Sequence, residues 1–165
     1  MGCGSQVTRF GPANLMRNKV DKDDSSPDVS VRNLQRKIRV NTPALEVLAQ
    51  RAVNACQKFE RGRPNDELNE IFVLLISDRR MAWLHRQFLN QSGPTDVITF
   101  QHGEIFISVE TARRQARQFG TSLTGELQLY IVHGLLHLHG YNDRTPSETR
   151  RMRAAEASVL RRVTV

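Results

Sequence analysis

The chain has 165 residues, enough for one domain with a core that needs no disulfide staples. Only 39% is hydrophobic, no run approaches the roughly 20 apolar residues of a membrane span, and the first 28 residues contain no apolar segment of a secretory signal. Lys and Arg number 24 against 17 Asp and Glu, a net charge of +7, and residues 1–28 hold four of each sign. The whole excess therefore belongs to residues 29–165, and a basic folded domain suits a polyanionic partner.

Residues 1–28, rich in Gly, Asp and Ser, read as a flexible tail, and 29–165 as a single domain. "MGCGSQ" lacks the Ser or Thr that a myristoylation site places at position six. Cys3 and Cys56 read as reduced thiols of a cytoplasmic protein. "VSVRNLQRKIRV" (29–40) alternates as one or two short strands. "TPALEVLAQRAVNACQKF" (42–59) predicts an amphipathic helix with Thr42 as cap and Pro43 at its first position. "ERGRPNDELN" is loop, and "IFVLLI" (71–76) is a buried strand.

Ser77 or Asp78 caps a helix running to about Phe88. After the turn "QSGP", "TDVITF" (95–100) and "EIFISV" (104–109) form a hairpin. A helix from Val109 to Phe119 ends at Gly120, a longer one spans 124–140, and Pro146 and Ser147 open an arginine-studded last helix. This order predicts an α+β fold, a small mixed four-stranded sheet covered by helices.

The chemistry concentrates in "HGLLHLHGYND" (133–143). On a helix, His133 and His137 lie one turn apart on one face, where one divalent ion can take both imidazoles. Gly140 permits a left-handed residue that ends the helix, so the chain can fold back and bring Asp143 in as third ligand. Three protein ligands leave a position open for water, the mark of a catalytic rather than a structural zinc site. Zinc suits this donor set, and so do nickel, manganese and iron(II).

His139 points about 200° away from His137 on an unbroken helix, towards solvent or a nucleic-acid surface. An early unwinding would instead make it the third ligand in place of Asp143. Gly134 stands where a HExxH metalloprotease has its glutamate, which argues against proteolysis. It also permits another element to approach the helix closely. Glu126, on the face of His133, reads as a solvated glutamate or as a partner supporting the metal ligand.

These residues bear a resemblance. "HGLLHLHGYND" resembles the H-G-x-L-H-L-x-G-Y-D-H signature of the YbeY family, bacterial endoribonucleases of rRNA maturation, and "PTDVITF", "GEIFIS" and "GELQLYIVHG" resemble its upstream segments in order and spacing. The resemblance implies a zinc-dependent, single-strand-directed RNase with a zincin-like metal helix. It would act in 16S rRNA 3′-end maturation and ribosome quality control, with rRNA and the small ribosomal subunit as partners. It also places Thr95 and Asp96 beside the site, to orient substrate or support a ligand, unless they serve only to open the strand.

Two departures stand out. Asp143 occupies the position of the family's third histidine, which lowers the charge of the centre by one, leaves bound water less acidic, and predicts a higher pH optimum. Leu89 stands where the family has an arginine thought to serve the reaction, and "FLNQSGPTD" (88–96) carries no positive charge. Arg86, one turn earlier, is the candidate substitute in catalysis and RNA binding. Arg113, Arg114 and Arg117 on one helix, and Arg150, Arg151, Arg153, Arg161 and Arg162 on the last, are candidates for a relocated phosphate-contacting surface. Both departures keep open an alternative: a ribosome-associated RNA-binding factor that retains the metal fold with weakened catalysis. A metal-dependent hydrolase of another substrate is a further rival, disfavoured by the basic charge.

Overall fold

The computed structural model describes residues 26–59 and 68–164. Most of the expected tail, Cys3 and residues 60–67 of the expected loop thus lie outside the described residues. Ser26, which the sequence assigns to the tail, is buried with its hydroxyl 2.9 Å from Asn54 Oδ1, and Asp28 already opens the first strand.

The strands are β1 (Asp28–Asn33), β2 (Glu70–Ile76), β3 (Val97–Phe100) and β4 (Glu104–Ser108); the helices are α1 (Thr42–Cys56), α2 (Asp78–Leu89), α3 (Val109–Phe119), α4 (Leu123–Leu138) and α5 (Pro146–Val163). One sheet runs in the order β1-β2-β4-β3, with β1, β2 and β4 parallel and β3 antiparallel to β4 as its hairpin partner. This is the expected mixed four-stranded α+β arrangement.

Alternation along the strands divides the hydrophobic interior between the two faces of the sheet. Ile71, Val73, Leu75, Ile105 and Ile107 face the main core under α1, α4 and α5, while Ile76, Ile98 and Phe106 meet Met81 and Leu84 of α2 on the other face. Cys56 is buried in the main core, and burial pushes its thiol up to about 12, which leaves it inert as a nucleophile. Among the described residues no helix is long and apolar enough to cross a membrane.

Two local expectations change. Residues 34–40 do not pair as a strand, although their alternation continues that of β1. The buried Gln35 side chain takes over their bonding: its Oε1 accepts from the backbone of Lys37 and Ile38 at 2.9 Å, and its Nε2 donates to Ile38 O at 2.6 Å. A side chain that offers the backbone such partners competes with the sheet ladder. The cap of α1 is Asn41 rather than Thr42, its side-chain oxygen accepting from Ala44 N at 3.2 Å, and the helix ends at Cys56.

Gly134 sets the position of α4 on the sheet. A Cβ there would lie 2.7 Å from Ile105 Cγ2 and 3.1 Å from Thr99 Oγ1, so the helix backbone seats directly on β3 and β4. The close approach expected at this glycine is present.

Candidate metal centre

Helix α4 carries His133 and His137 with their rings 4.5 Å apart, and it ends in a Schellman reversal. Tyr141 N donates to Leu136 O and Gly140 N to His137 O, both at 3.0 Å, around Gly140 at φ 92°. Glycine is the residue that takes this backbone conformation without a steric cost. The returning chain is then fixed by α5. Thr145 and Glu148 form a reciprocal capping box, and the Thr149 hydroxyl lies 3.0 Å from Asp143 O.

The reversal brings three donor atoms together. His133 Nε2 and His137 Nε2 are 2.9 Å apart, and Asp143 Oδ2 lies 3.8 Å and 3.9 Å from them. Tetrahedral ligands about 2.0–2.1 Å from a zinc ion stand roughly 3.3 Å from one another, so these separations bracket what one ion requires. Among the described residues this is the one group of three or more metal-ligating side chains whose donor atoms all lie within 4.8 Å.

The other ring nitrogens show how the site is prepared. His133 Nδ1 lies 2.7 Å from Glu156 Oε1, and His137 Nδ1 lies 2.9 Å from Tyr141 O. Both partners only accept, so each Nδ1 holds the proton of a neutral imidazole and each Nε2 presents a lone pair. Two bare lone pairs and a carboxylate oxygen crowded together repel one another unless a cation lies between them. The donor set therefore fits a divalent metal.

Burial opposes a charge on His133, but the hydrogen bond and charge of Glu156 outweigh it and raise the pKa. Burial and the neighbouring His133 lower that of His137. Beyond the two Nδ1 protons the pair thus takes up one further proton on its facing Nε2 atoms more readily than two, and a divalent ion that takes both Nε2 atoms displaces it.

A cleft opens beside His133, lined also by Asp96, Glu126 and Glu156. Asp96 is held by Val97 N, 2.8 Å from Oδ1, and by the Thr95 hydroxyl at 3.1 Å, so both expected loop residues sit at the mouth of β3. Arg86 stands exposed in the last turn of α2, across the sheet from α4, and does not line the cleft. Leu89 is half exposed at the end of that helix. Arg113, Arg150 and Arg151 are exposed, the last two following directly on the Thr149 that touches Asp143. Arg114 is committed elsewhere, paired with Asp78, and Arg162 lies over the Phe59 ring.

Two readings are corrected. His139 neither faces solvent nor ligates. It is 2% exposed, its Nε2 lies 3.2 Å from Phe59 O, and its ring stacks on Tyr141, because α4 stays wound to Leu138 and turns that side chain inward. Glu126 is neither solvated nor the partner of His133: it is buried and accepts from the Thr121 hydroxyl at 2.5 Å.

The family model described as Endoribonuclease YbeY matches residues 30–164, nearly the whole described chain and all three donor residues. The chain belongs to the endoribonuclease YbeY family. Relatives named Endoribonuclease YbeY include that of Bacteroides thetaiotaomicron, 40% identical over 56% of this chain and 73% of the relative. That of Geobacter metallireducens is 31% identical over 80% of this chain and 93% of the relative. The solution structure of TM1509 from Thermotoga maritima shares the fold, with a TM-score of 0.54, 24% identity, and coverage of 80% of this chain and 89% of that one.

Glu156 is the site residue that sequence reasoning missed. A signal existed. In α5 the buried stripe runs through Met152, Ala155, Val159 and Val163, and Glu156 places an acid one turn from Met152 on that inward side. A carboxylate turned inward on a basic helix has a partner to meet.

Proposed function

We propose that the chain is a metal-dependent endoribonuclease that cleaves single-stranded RNA, acting in the cytoplasm on the 3′ end of 16S rRNA and in ribosome quality control, beside the small ribosomal subunit. Zinc is the proposed resident ion, held by His133, His137 and Asp143. The observation that carries this reading is the convergence of the two Nε2 atoms and Asp143 Oδ2, within 3.9 Å of one another, in a family whose named members are endoribonucleases. When bound, such an ion supplies Lewis acidity towards a phosphodiester oxygen.

The chain's own residues do the rest. Glu156 and the Tyr141 carbonyl hold both imidazoles with Nε2 turned to the ion. Asp143, whose side chain is 43% exposed, leaves the centre open on the side from which RNA arrives. Arg150 and Arg151 at the start of α5, with Arg113 from α3, contact the phosphates on either side of the bond to be broken. Arg86 serves the same purpose from α2 if the strand wraps the β3 edge; an Arg86→Ala variant with undiminished cleavage removes it from the site.

The test uses untagged protein, a single-stranded RNA carrying the rRNA 3′-end sequence, and elemental analysis. Cleavage is expected from the wild type, with a 2′,3′-cyclic phosphate end if the RNA's own 2′-hydroxyl attacks. His133→Ala is expected to lose both the metal and the activity. Full metal loading with RNA binding but no cleavage would favour the RNA-binding factor and overturn the enzyme.

A further inference from the structure

The cleft beside His133 is more than an approach to the metal. Its volume of about 410 Å³ falls within the range that encloses a nucleoside-sized ligand, ~300–1,000 Å³. One wall is apolar: Val97, Leu129 and the ring of Phe119, which is 63% exposed at the end of α3. An aromatic face left bare at the rim of a cleft is a platform for a planar ligand.

The other wall is polar and dominated by acceptors. Asp96, Glu126 and Glu156 line it, with Gln115 beside them. Tyr130 also lines the cleft and is only 5% exposed, and its hydroxyl, which faces the Glu126 carboxylate, makes no well-formed hydrogen bond among the described residues. A buried hydroxyl without a partner is uncommon and costly, and a bound ligand is one way to satisfy it.

Two occupants are disfavoured. Three carboxylates repel a phosphate. A second metal ion would need their oxygens to converge, and among the described residues only His133, His137 and Asp143 do so.

We infer that this cleft is a nucleobase subsite. It takes one unpaired base next to the phosphodiester at the metal centre, stacks it on Phe119, and selects an amino-bearing base such as cytosine over uracil. The cytosine N4 amine donates to the Glu126 and Asp96 carboxylates, and its neighbouring acceptors receive the Tyr130 hydroxyl. Uracil has almost the same shape but turns a carbonyl oxygen to those carboxylates. The inference rests on the proposed RNA-cleaving function and adds the base preference of the same site.

The experiment has two arms. In the first, kcat/KM is measured on single-stranded RNAs that differ only by C or U beside the cleaved bond. In the second, binding of CMP and UMP to the zinc-loaded protein is measured by calorimetry. The expected result is a preference for C of roughly tenfold in both arms. Glu126→Gln is expected to bring C and U to within about twofold. Phe119→Ala, at an exposed position, is expected to weaken CMP binding about tenfold.

Equal values for C and U in the wild type would overturn the subsite, as would a preference untouched by both variants. If no RNA is cleaved while CMP still binds better than UMP and loses affinity in Phe119→Ala, the subsite stands and the nuclease function falls.

Discussion

His133 serves the site through both of its ring nitrogens, and the two uses depend on each other. Glu156 accepts the Nδ1 proton at 2.7 Å, which fixes the tautomer that frees Nε2 for a cation. Glu156→Gln keeps the size of the side chain but replaces the carboxylate with a neutral amide that orients the ring less firmly. Zinc affinity, measured by chelator competition, is expected to fall about 10–100-fold with the fold intact; unchanged affinity would remove Glu156 from the metal site. Asp143→His is expected to move the pH optimum of cleavage to lower values, because the centre gains one positive charge. Superimposable pH profiles would contradict this. At this scale the sequence was generous with His133, His137 and Asp143, which lie within eleven residues around one glycine. It gave little hint of Glu156, because what brings that residue in is the packing of α5 on α4.

Helix α4 shows how an element carries both fold and chemistry. Its seat on the sheet depends on the missing side chain at Gly134, and its end depends on the left-handed Gly140. Gly134→Ala gains about 1 kcal/mol of helix propensity. It also drives a methyl group to 2.7 Å from Ile105 Cγ2, an atom on the branched carbon that cannot swing aside as a flexible chain end would. Overpacking of this kind costs about 1–3 kcal/mol, so a net loss of about 1 kcal/mol is expected in denaturant unfolding. A stabilised variant would show that α4 does not rest so closely on β4. The helices were legible where a stop signal was plain, as in α3, which runs from Val109 to Phe119 and ends at Gly120 as read. Its Ser108 cap emerged only from the structure. The second half of 29–40 was misread because the Gln35 side chain, not the alternation, decides its backbone bonding.

Across the whole molecule, a polar junction ties the start of α2 to the start of α3. The Asp78 carboxylate accepts from the hydroxyls of Ser108 at 2.5 Å and Thr111 at 2.7 Å and pairs with Arg114, while Asp78 N donates to Glu110 Oε2 at 2.7 Å. Burial pushes the Asp78 carboxyl up, but Arg114 and the two hydroxyls together hold it below the usual carboxylate range. A folded-state pKa below the unfolded one gives stability that is present above about pH 4 and is lost as the pH falls through the folded value. Asp78→Asn is therefore expected to cost about 1 kcal/mol at neutral pH and to flatten the acid limb of the stability profile. An acid limb as steep as that of the wild type would assign acid sensitivity to other groups.

The junction accounts for Arg114, one of the arginines the sequence offered for phosphate contact, and leaves the other exposed arginines as the candidates for that role. The central claim is that the reversal at Gly140 assembles a single-ion centre that cleaves RNA. The measurement that meets it most directly is the rate of single-stranded RNA cleavage by metal-free protein as zinc is added back. The account predicts a linear rise that levels at one equivalent per chain and is absent in Asp143→Ala. Cleavage that needs no added metal, or an Asp143→Ala titration identical to that of the wild type, would contradict it.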